Sequence, residues 1–397
     1  MENAKDPIVI VGASRTPMGG FQGDLAGVEA AQLGATATAG AMAQAGLNAD
    51  QVQEIIMGCV LPAGQGQAPA RQAALKAGLP LSAGATTVNK MCGSGMKAAM
   101  LVHDLIAAGS AEIAIAGGME SMSNAPYLLP KARGGYRMGH GQVMDHMFLD
   151  GLEDAYDKGR LMGTFAEDCA QSYQFTREEQ DNYAITSLTR AQKAIESGAF
   201  GAEVTPVTVT SRKGETRVDI DEQPGKARID KIPGLRPAFR EGGTVTAANS
   251  SSISDGAAAM VMMRASQAES LGLTPRARIL GHATHADKPS LFPTAPIGAI
   301  RKLMDRTGLD LGAIDLFEIN EAFAVVAMAA MRDLDLSHDI VNIHGGACAL
   351  GHPIGASGAR VMVTLLAALE THGLDRGVAS LCIGGGEATA IAIERLS

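Results

Sequence analysis

The sequence predicts an α/β protein built from two similar units, and three observations lead to this prediction. At 397 residues the chain is too long for one ordinary hydrophobic core, so two or three packed units are expected. Short apolar runs alternate with alanine-rich segments of helical period, as in proteins whose helices cover buried sheets. Several segments of the first third also recur, in the same order, in the last third.

The alternation assigns strands and helices in chain order. The apolar runs predicted as strands are Ile8–Val11, Glu54–Val60, Glu112–Ala116, Leu316–Ile319 and Ala379–Ile383. The segments predicted as helices are Ala26–Ala45, Gly95–Ala108, Pro296–Thr307 and Ser357–His372. Because both kinds of segment alternate in each half, we expect largely buried sheets with helices on their faces.

The recurring segments keep nearly one offset along the chain. Three pairs resemble one another at offsets of 262, 263 and about 267 residues: Ala43–Leu47 and Asp305–Leu309, Ser94–Lys97 and Ser357–Arg360, and Gly117–Glu120 and Gly385–Glu387. Chance likeness of segments rich in Gly and Ala is the alternative. We interpret the ordered series as two similar α/β units that face each other.

Residues 121–251 differ in composition from both units. They contain stretches rich in Gly, Met and His, a charged segment and several prolines, and they are too long for a simple loop. We therefore predict an inserted loop domain at 121–251. The first unit then comprises 1–120 with 252–274, and the second comprises 275–397.

Composition and charge exclude several classes of function. A net charge of −9 and the absence of Trp give no general affinity for nucleic acid or acidic membranes. No apolar run approaches the ~18 residues that span a bilayer, and a strand-like run soon after Met1 leaves no room for a signal peptide. Five cysteines without regular spacing describe no disulfide framework. We expect a cytoplasmic protein in which an unusual cysteine is catalytic.

The first chemical feature is a cysteine at a predicted strand-to-helix turn. Cys92 follows the strand-like Ala85–Val88 and precedes an alanine-rich helix, with Gly93 and Gly95 beside it. In this position it faces backbone N–H groups and the positive end of a helix dipole, which favours the thiolate. The glycines let a ligand approach the backbone closely. A small apolar core cysteine beside a tight turn is the alternative.

Three further segments supply groups for the same site. His352 lies in the turn that the repeat makes the counterpart of the Cys92 turn, and a cysteine facing a histidine is an activated-nucleophile arrangement. Cys382 ends a strand and precedes three glycines, whose N–H groups can hold an oxyanion. Asn320 and Glu321 end another strand and suit the orientation of a water and a histidine. His344 is expected to be a structural histidine satisfied by the backbone.

At these four segments the chain resembles the thiolase family. The family's motif around its nucleophilic cysteine and its Asn-Glu-Ala-Phe-Ala, Gly-His-Pro and Cys-x-Gly-Gly-Gly segments all occur, in that order. The likeness extends from Ser14–Pro17 to Cys382–Glu387 and includes Gly118–Ser123 and Leu235–Phe239. It implies the thiolase fold, in which two duplicated α/β units stack in five layers, α-β-α-β-α, and the inserted loop domain caps the site.

The resemblance also implies roles. Cys92 is expected to carry the acyl group, His352 to activate it, and Cys382 to move the α-proton of the second substrate. Asn320 is expected to hold a water that forms one oxyanion hole with His352. The N–H groups of Cys92 and Gly384 are expected to form the other. The implied reaction condenses two acetyl-CoA to acetoacetyl-CoA and CoA, and its reverse is thiolysis. Two acyl transfers through one enzyme-bound species predict ping-pong kinetics.

The implied substrates are acetyl-CoA and short 3-ketoacyl-CoA, so coenzyme A is a substrate and no cofactor is expected. The family binds the pantetheine along Thr244–Ser252, where Ser251 matches the family's contact serine. The other residues expected along the acyl and pantetheine pocket are Ala247, Phe239, Met162 and Phe292. For the CoA phosphates the charged segment offers Lys226 and Arg228, and a solvated surface position is the alternative for each. By resemblance a homotetramer is expected, with a dimer next.

Short-chain specificity is the expectation that depends most on detail. Val60–Gly66 and Asp150–Leu152 resemble short-chain members more than long-chain degradative ones, and Phe292, Phe323 and Met162 are expected to close the pocket end. The chain departs from many short-chain members, which carry His-Met-Gly where it has Leu-Met-Gly at 161–163. A broader degradative thiolase of fatty-acid β-oxidation is the alternative.

Three other classes fit less well. Decarboxylating ketoacyl synthases share the duplicated fold but need two histidines and use no second catalytic cysteine. A dinucleotide-dependent oxidoreductase requires a third glycine that is missing after Gly93 and Gly95. A metal site of Cys92, His352 and Cys382 lacks an anchoring Cys-x-x-Cys or His-x-x-x-His pair, so no metal is expected.

Overall fold

The structure, a computed structural model, describes residues 6–212 and 214–396. The strands are β1 (Ile8–Arg15), β2 (Gly19–Gly20), β3 (Glu54–Gly58), β4 (Gly84–Val88), β5 (Ile113–Ser121), β6 (Tyr127–Leu128), β7 (Met144–Asp145), β8 (Val207–Ser211), β9 (Gly214–Val218), β10 (Ser254–Arg264), β11 (Ala277–Ala286), β12 (Leu316–Ile319), β13 (Arg376–Ile383) and β14 (Glu387–Arg395). The α-helices are α1 (Ala30–Ala45), α2 (Pro69–Lys76), α3 (Ser94–Ala107), α4 (Met162–Tyr173), α5 (Arg177–Ser197), α6 (Glu222–Lys226), α7 (Ala265–Ser270), α8 (Ala295–Thr307), α9 (Ala324–Leu334), α10 (Ala347–Leu350) and α11 (Ser357–His372).

The main sheet has two halves with the same internal order. The strands run β12-β13-β14-β11-β1-β10-β5-β3-β4, and β2 pairs with β10. The halves meet where β1 pairs antiparallel with β11, at Val9 with Arg278 and Ile10 with Ala277. Outward from this junction, β10 is antiparallel to β5 as β14 is to β13, and β3 is parallel to β5 as β12 is to β13. The duplication predicted from the sequence is therefore visible in the strand order.

Paired elements confirm two of the three predicted correspondences and correct the third. α3 and α11 begin at Ser94 and Ser357, and α1 and α8 both end just before a left-handed glycine, Gly46 and Gly308. The third pair is wrong. Residues 117 and 118 lie inside β5, whereas 385 and 386 form the turn between β13 and β14 with φ values of 95° and 86°. The Gly-Gly pair allows close packing within β5 and a tight turn between β13 and β14, so the sequence similarity of the two segments does not reflect equivalent positions.

Helices cover the two halves on both sides and give the predicted five layers. α1 and α2 lie on the outer face of the first half, α8 and α9 on the outer side of the second, and α3 and α11 between the halves. Side chains alternate accordingly: Val9 and Val11 of β1 pack toward α1, whereas Ile8 and Ile10 join the cluster around α3 and α11. The sheet is thus buried on both faces.

The two central helices approach each other closely at their first turns. A Cβ atom on Gly95 would lie 2.7 Å from the backbone nitrogen of Ala359, and one on Gly358 would overlap the backbone of Met96. Only glycine fits at either position, because a side chain would push the helices apart. This contact brings together the turns that precede α3 and α11, which carry Cys92 and His352.

The sequence analysis missed several elements, most of them in the second half and in the insertion. It did not predict strands β10, β11 and β14 or helices α4, α5 and α9. β10 follows the inserted segment in the chain yet lies between β1 and β5. In the insertion, α4 and α5 contact α9, and the β8–β9 hairpin packs toward the core beneath α1. The exact division of the chain into units stays a prediction.

A buried ion cluster joins the inserted segment to β1. The guanidinium of Arg15, fully buried, donates to both carboxylate oxygens of Asp221 at 2.6 and 2.9 Å and pairs with Glu203. Thr364 of α11 donates to Glu203 at 3.1 Å. Buried charges need such partners, so the cluster fixes the insertion to the scaffold. Among the described residues, no helix combines the length and the apolar character that crossing a membrane requires.

Candidate active site

A cavity of about 360 Å³ opens where the starts of the two central helices meet the inserted segment. Four of the predicted catalytic residues line it, and so do five of the predicted binding residues. They are Cys92, His352, Cys382 and Gly384, with Met162, Phe239, Ala247, Ser251 and Phe292. Residues distant in sequence by up to almost three hundred positions therefore share one site.

The Cys92 turn is held tight by its own backbone. Met91, just before the cysteine, has a left-handed φ of 47°, which is strained for a residue with a side chain. The N–H groups of Gly93 and Ser94 donate to the carbonyls of Lys90 and Met91, both at 3.0 Å. The Ser94 hydroxyl accepts from the Lys90 N–H at 2.8 Å and donates to the Met91 carbonyl at 2.6 Å. The strained conformation is thus fixed by hydrogen bonds on both sides of Met91.

This turn lies directly against the end of β13. A Cβ atom on Gly93 would overlap the side chain of Ile383, so glycine is required for the contact. The approach places the N–H of Gly384 near enough to the sulfur of Cys92 to lower its pKa, as the N–H of Cys92 itself does. Two backbone donors therefore converge on the nucleophile, and they are the donors that the resemblance assigns to an oxyanion hole.

Burial dominates the acidity of Cys92 in the structure. It raises the pKa of the Cys92 thiol to about 11, and the two N–H groups offset this only in part. The negative charge of the nearby Glu120 carboxylate raises the pKa further. The expectation of a stabilised thiolate is therefore wrong: the N–H groups of Cys92 and Gly384 do not outweigh desolvation. At neutral pH the cysteine is a thiol.

Cys382 is also a neutral thiol. Burial raises its pKa well above the usual range, and a negative charge on Cys92 raises it further. The second cause shows that the two sulfurs are close enough to interact, so that only one of them readily carries charge at a time.

His352 is oriented by its neighbours on the α11 turn. Its Nδ1 lies 2.5 Å from the Ser357 hydroxyl, which in turn lies 3.0 Å from the Pro353 carbonyl. A carbonyl only accepts, so we assign the hydroxyl proton to that bond and the Nδ1 proton to the bond with Ser357. Nε2 then carries a free lone pair, and it is buried with no hydrogen-bond partner among the described residues.

The same imidazole is neutral over the physiological range. Burial and, to a smaller extent, the positive charge of Arg360 lower the pKa of His352 to about 3. A neutral imidazole with a free Nε2 facing a cavity can accept a proton from a thiol. The site therefore rests as an uncharged thiol–imidazole pair.

Asn320 reaches this histidine and is held by an arginine. Its amide nitrogen lies 3.4 Å from Nδ1 of His352, and its amide oxygen accepts from Arg360 at 3.2 Å. The guanidinium of Arg360, itself buried, also pairs with Glu318 at 3.4 Å. Because Arg360 holds the amide oxygen of Asn320, the amide NH₂ group of Asn320 is directed toward His352. The water that the resemblance places on Asn320 stays a prediction.

Glu321 does not orient the histidine, contrary to expectation. Its carboxylate accepts from Tyr183 at 2.9 Å, Ser187 at 2.7 Å, Asn342 at 2.9 Å and the backbone of Cys348 at 3.0 Å. These bonds point away from the cavity and join α5 to the loop before α10. The sequence placed the two polar residues correctly at a strand end, but adjacent side chains point in different directions.

His344 lies outside the cavity, as a structural residue should, but its partner was predicted wrongly. Its Nε2 contacts Nε2 of His372 at 3.1 Å, and its ring packs edge-on against Phe200. Its Nδ1 is buried and without a partner in the part of the chain that the structure describes. The residue is therefore paired with another side chain and not with the backbone.

The Thr244–Ser252 segment forms one wall and is fixed from behind. Glu167 of α4 accepts from the backbone N–H of Thr244 at 2.9 Å and of Val245 at 2.8 Å. Ser251 donates through both its N–H, at 3.0 Å, and its hydroxyl, at 2.9 Å, to the carbonyl of Ala322. The wall is rigid before any ligand enters, which suits the binding of an extended chain.

An aromatic cluster forms part of the cavity wall. The ring centroids of Phe292 and Phe323 are 6.4 Å apart, and those of Phe239 and Phe323 are 5.9 Å apart. Phe239 packs directly on Gly163, where a Cβ atom would overlap its ring. Met162 lies near Gly384, its sulfur 3.7 Å from where a Cβ atom on that glycine would sit. All three side chains expected at the pocket end line the cavity.

Lys226 and Arg228 do not line the cavity. Lys226 pairs with Glu222 and lies 3.8 Å from Asp24, and its side chain is 60% exposed. Arg228 pairs with Asp230 at 3.2 Å and is 70% exposed. Both fit the solvated surface position given as their alternative, and their contact with CoA phosphates stays a prediction.

Sequence reasoning missed three buried residues that support the site. Ser357 and Arg360 hold His352 and Asn320, and Glu120 accepts from the backbone of Val60 at 2.9 Å, Leu61 at 3.1 Å and Gly355 at 2.9 Å. The Glu120 bonds tie the loop after β3 to the turn that carries His352. The spacing of Ser357 and Arg360, one helical turn apart at the start of α11, was the available signal.

A half-buried thiol that lines one cavity with a neutral imidazole, a second thiol and a backbone N–H donor defines an acyl-transferring enzyme that uses a cysteine nucleophile. The chain belongs to the thiolase family. The family of the thiolase N-terminal domain matches residues 8–266, and that of the thiolase C-terminal domain matches residues 273–395.

Individual relatives are similar over almost the whole chain. The chain is 49% identical to the acetyl-CoA acetyltransferase of Pseudomonas aeruginosa, over 98% of this chain and 99% of that one. It is 50% identical to acetyl-CoA acetyltransferase 2 of Arabidopsis thaliana, over 99% and 98%. The solved acetyl-CoA acetyltransferase of Syntrophomonas wolfei superposes with a TM-score of 0.95 at 39% identity, over 98% and 100%. The Acat5 thiolase of Ascaris suum in complex with coenzyme A gives 0.93 at 41%, over 98% and 100%.

Proposed function

We propose that this thiolase is an acetyl-CoA C-acetyltransferase, which condenses two acetyl-CoA to acetoacetyl-CoA and CoA and catalyses the reverse thiolysis. The observation that carries the proposal is the meeting of two thiols, a neutral imidazole and two N–H donors in one cavity. The names of the Pseudomonas aeruginosa and Arabidopsis thaliana relatives support the substrate, and the Ascaris suum complex supports coenzyme A as its carrier.

The first half-reaction acylates Cys92. Its sulfur attacks the thioester carbonyl of acetyl-CoA while Nε2 of His352 takes the thiol proton, so that no free thiolate has to form in the buried site. The new C–S bond replaces the old one, and the proton passes to the departing sulfur of CoA. A thioester replaces a thioester, so the step needs no other energy source. The neutral resting state of both groups suits this concerted transfer.

The second half-reaction forms the carbon–carbon bond. Nε2 of His352 takes the proton of the Cys382 thiol, the Cys382 thiolate removes an α-proton from a second acetyl-CoA, and the resulting enolate attacks the acetyl group on Cys92. The sulfur of Cys92 leaves as the thiolate and regains a proton through His352. The high pKa of Cys382 makes its thiolate a strong base, available once a proton has been moved away from it.

Two sets of donors meet the negative charge that develops on the two oxygens. The N–H groups of Cys92 and Gly384 already converge, and we assign them to the oxygen of the acyl group on Cys92. Asn320, whose amide Arg360 orients, is assigned to the enolate oxygen of the second substrate, together with the Nε2–H of His352 once the ring has taken the proton of Cys382. Preorganised donors of this kind contribute roughly 3–4 kcal/mol each.

The acyl pocket is proposed to be short. Phe292 and Phe323 line the cavity with their ring centroids 6.4 Å apart, and Phe292 is 3% exposed, which supports a closed end. Each buried methylene is worth only about 0.8 kcal/mol, so a pocket rejects longer chains by steric closure and not by weak attraction. We therefore propose acetoacetyl-CoA as the best thiolysis substrate, with five-carbon or α-methyl analogues possible.

The test is CoA-dependent cleavage across a 3-ketoacyl-CoA series from four to eight carbons. Acetoacetyl-CoA should give the highest kcat/KM, and Phe292→Ala should raise the relative activity on six-carbon and longer substrates. Phe165→Leu is the matched control, because Phe165 packs behind Phe292 at 6.2 Å without lining the cavity. If the unmodified enzyme cleaves the eight-carbon substrate as well as acetoacetyl-CoA, the broad degradative function replaces this proposal.

We propose a homotetramer in the cytoplasm. The inserted segment exposes the apolar side chains of Tyr127, Leu129, Met138 and Val143, at 68%, 54%, 97% and 61%, which suits burial against another copy. All five cysteines are free, which suits a reducing compartment. Light scattering that finds only monomers at all protein concentrations would contradict the assembly.

A further inference from the structure

A second cluster of chemically capable side chains lies away from the cavity. His103 and Asp104 are on α3, and His282 is on β11. Nδ1 of His103 and Nε2 of His282 each lie 3.0 Å from the same carboxylate oxygen of Asp104. The possible ligand atoms of the three residues all lie within 4.8 Å of one another.

The two separations from Asp104 fit one metal ion. Zinc binds imidazole nitrogen and carboxylate oxygen at about 2.0–2.2 Å, so ligands at two corners of a tetrahedron stand roughly 3.3 Å apart. The two measured separations from Asp104 are close to that value. The imidazole rings of His103 and His282 meet edge-on, with centroids 5.1 Å apart and planes at 86°, so both nitrogens can face one point.

We propose that His103, Asp104 and His282 bind a divalent transition-metal ion of the zinc type. Two imidazoles and one carboxylate are a donor set that such ions prefer. The imidazoles are mostly buried, at 16% and 14% exposure, whereas the Asp104 carboxylate is 56% exposed and leaves a fourth position for water. The other ring nitrogen of His282, Nδ1, is buried without a partner, so Nε2 is the nitrogen available to a ligand.

The charges around the site are mixed. Asp104 supplies the one carboxylate, Lys97 is near enough to disfavour a positive charge on His282, and Arg306 donates to the His282 carbonyl at 3.0 Å. A single carboxylate and nearby cations make the site a poor one for hard ions such as Ca²⁺, which need many oxygen ligands. They leave imidazole coordination as the main source of affinity.

The ion would act on the fold and not on the chemistry. His103 is nine residues along α3 from Ser94, roughly 14 Å from the turn that carries Cys92. The ligands span α3 and β11, so the ion would join the central helix to the second half of the sheet. The sequence suggested no such site, because His282 is 178 residues from Asp104.

The test is a calorimetric titration of chelator-treated protein with zinc chloride. Cys92 is first alkylated with iodoacetamide in every sample, because cavity thiols also bind zinc. We expect one equivalent of Zn²⁺ to bind and the melting temperature to rise. Loss of an outer-shell partner typically weakens metal binding about 10–100-fold, so His103→Ala and His282→Ala should weaken it at least tenfold. Asp104→Asn should weaken it while keeping the volume.

His372→Ala is the matched control, because His372 belongs to the only comparable imidazole contact found elsewhere in the described ranges, that with His344. It should bind zinc as the unmodified chain does. Circular dichroism and thiolysis by non-alkylated samples verify that each variant folds. A second readout is the Co²⁺ spectrum, which should lack a thiolate charge-transfer band. Absence of stoichiometric Zn²⁺ binding, unaltered binding by His282→Ala, or a thiolate band would overturn the proposal.

Discussion

The turns before α3 and α11 occupy equivalent places in the duplicated scaffold, yet they serve different purposes. Each central helix begins with a serine, Ser94 or Ser357. The Ser94 hydroxyl accepts from one backbone group and donates to another, and so tightens the turn that carries Cys92. The Ser357 hydroxyl donates to a backbone carbonyl but accepts from the side chain of His352. One serine shapes the backbone, and the other fixes the imidazole ring of His352.

The difference shows how duplication can produce a site with two roles. Close packing through Gly95 and Gly358 brings both helix starts together, and this needs similar backbones in the two units. The side chains on those backbones are then free to differ. Burial favours the neutral form of both side chains: it raises the pKa of Cys92 to about 11 and lowers the pKa of His352 to about 3. Both groups are therefore neutral near pH 7.

The largest expected effect separates the two thiols. Cys92→Ser should lower thiolysis more than about 10⁴-fold, because no acyl-enzyme forms without the nucleophile. Cys382→Ser should lower turnover by about 10²–10⁴-fold through loss of the proton-transfer group, while acylation of Cys92 by acetyl-CoA persists. Mass spectrometry of the protein incubated with acetyl-CoA checks both variants. Cys169→Ala, which alters a buried cysteine outside the cavity, is the control.

Iodoacetamide mapping adds an independent check of this assignment. Cys92 should be labelled first, and acetyl-CoA should protect it. Faster labelling of Cys59 or Cys348 with activity retained, or equal loss of acylation in both serine variants, would refute the division of roles.

The next effect concerns the donor that faces His352. Asn320→Ala should lower kcat by about 10²–10³-fold, as loss of an oxyanion-hole donor does elsewhere. Cys92 should still acylate, because its own donors are the N–H groups of Cys92 and Gly384. Single-turnover measurements separate the two steps. Acylation slowed as much as condensation would show that Asn320 serves the first half-reaction instead.

The pH dependence of alkylation tests whether burial or the helix dipole controls Cys92. A raised pKa means that the thiolate fraction grows about tenfold per pH unit until pH approaches about 11. Alkylation of the unliganded enzyme should therefore rise about a hundredfold between pH 7 and pH 9. The alkylation rate should show no plateau near neutrality. A plateau there would be expected if the helix dipole had lowered the pKa of Cys92. Rates measured by mass spectrometry with free glutathione as the reference decide between the two.

Much of the fold and site could be predicted because the signals were local or repeated. Ser94 and Ser357 marked two helix starts correctly, and Cys92, His352 and Cys382 each stood beside glycines at a predicted turn. Their meeting followed from the repeat together with the family resemblance.

The remainder depends on long-range packing that a pattern does not show. The acidity of Cys92 was expected in the wrong direction, because a helix start is visible in a sequence whereas the depth of burial is not. Glu321 was placed beside the histidine, but its side chain points the other way, into contacts with Tyr183 and Ser187. Glu120 was named only as part of a motif. Its role could not be predicted, because the three N–H groups that donate to it come from two loops distant in sequence.

The smallest effect tests the comparison of the two serines directly. Ser94→Ala and Ser357→Ala each remove a buried hydroxyl with two hydrogen bonds, so both should lower the free energy of unfolding by about 1–3 kcal/mol. Only Ser357→Ala frees the imidazole ring to turn. One hydrogen bond of about 1.4 kcal/mol corresponds to a tenfold rate, so its kcat should fall about tenfold with KM little changed. Urea denaturation and steady-state thiolysis, measured on the same preparations, give both quantities. If the two variants lose stability equally and kcat equally, Ser357 acts only through the fold, and the two turns differ less than their hydrogen bonds indicate.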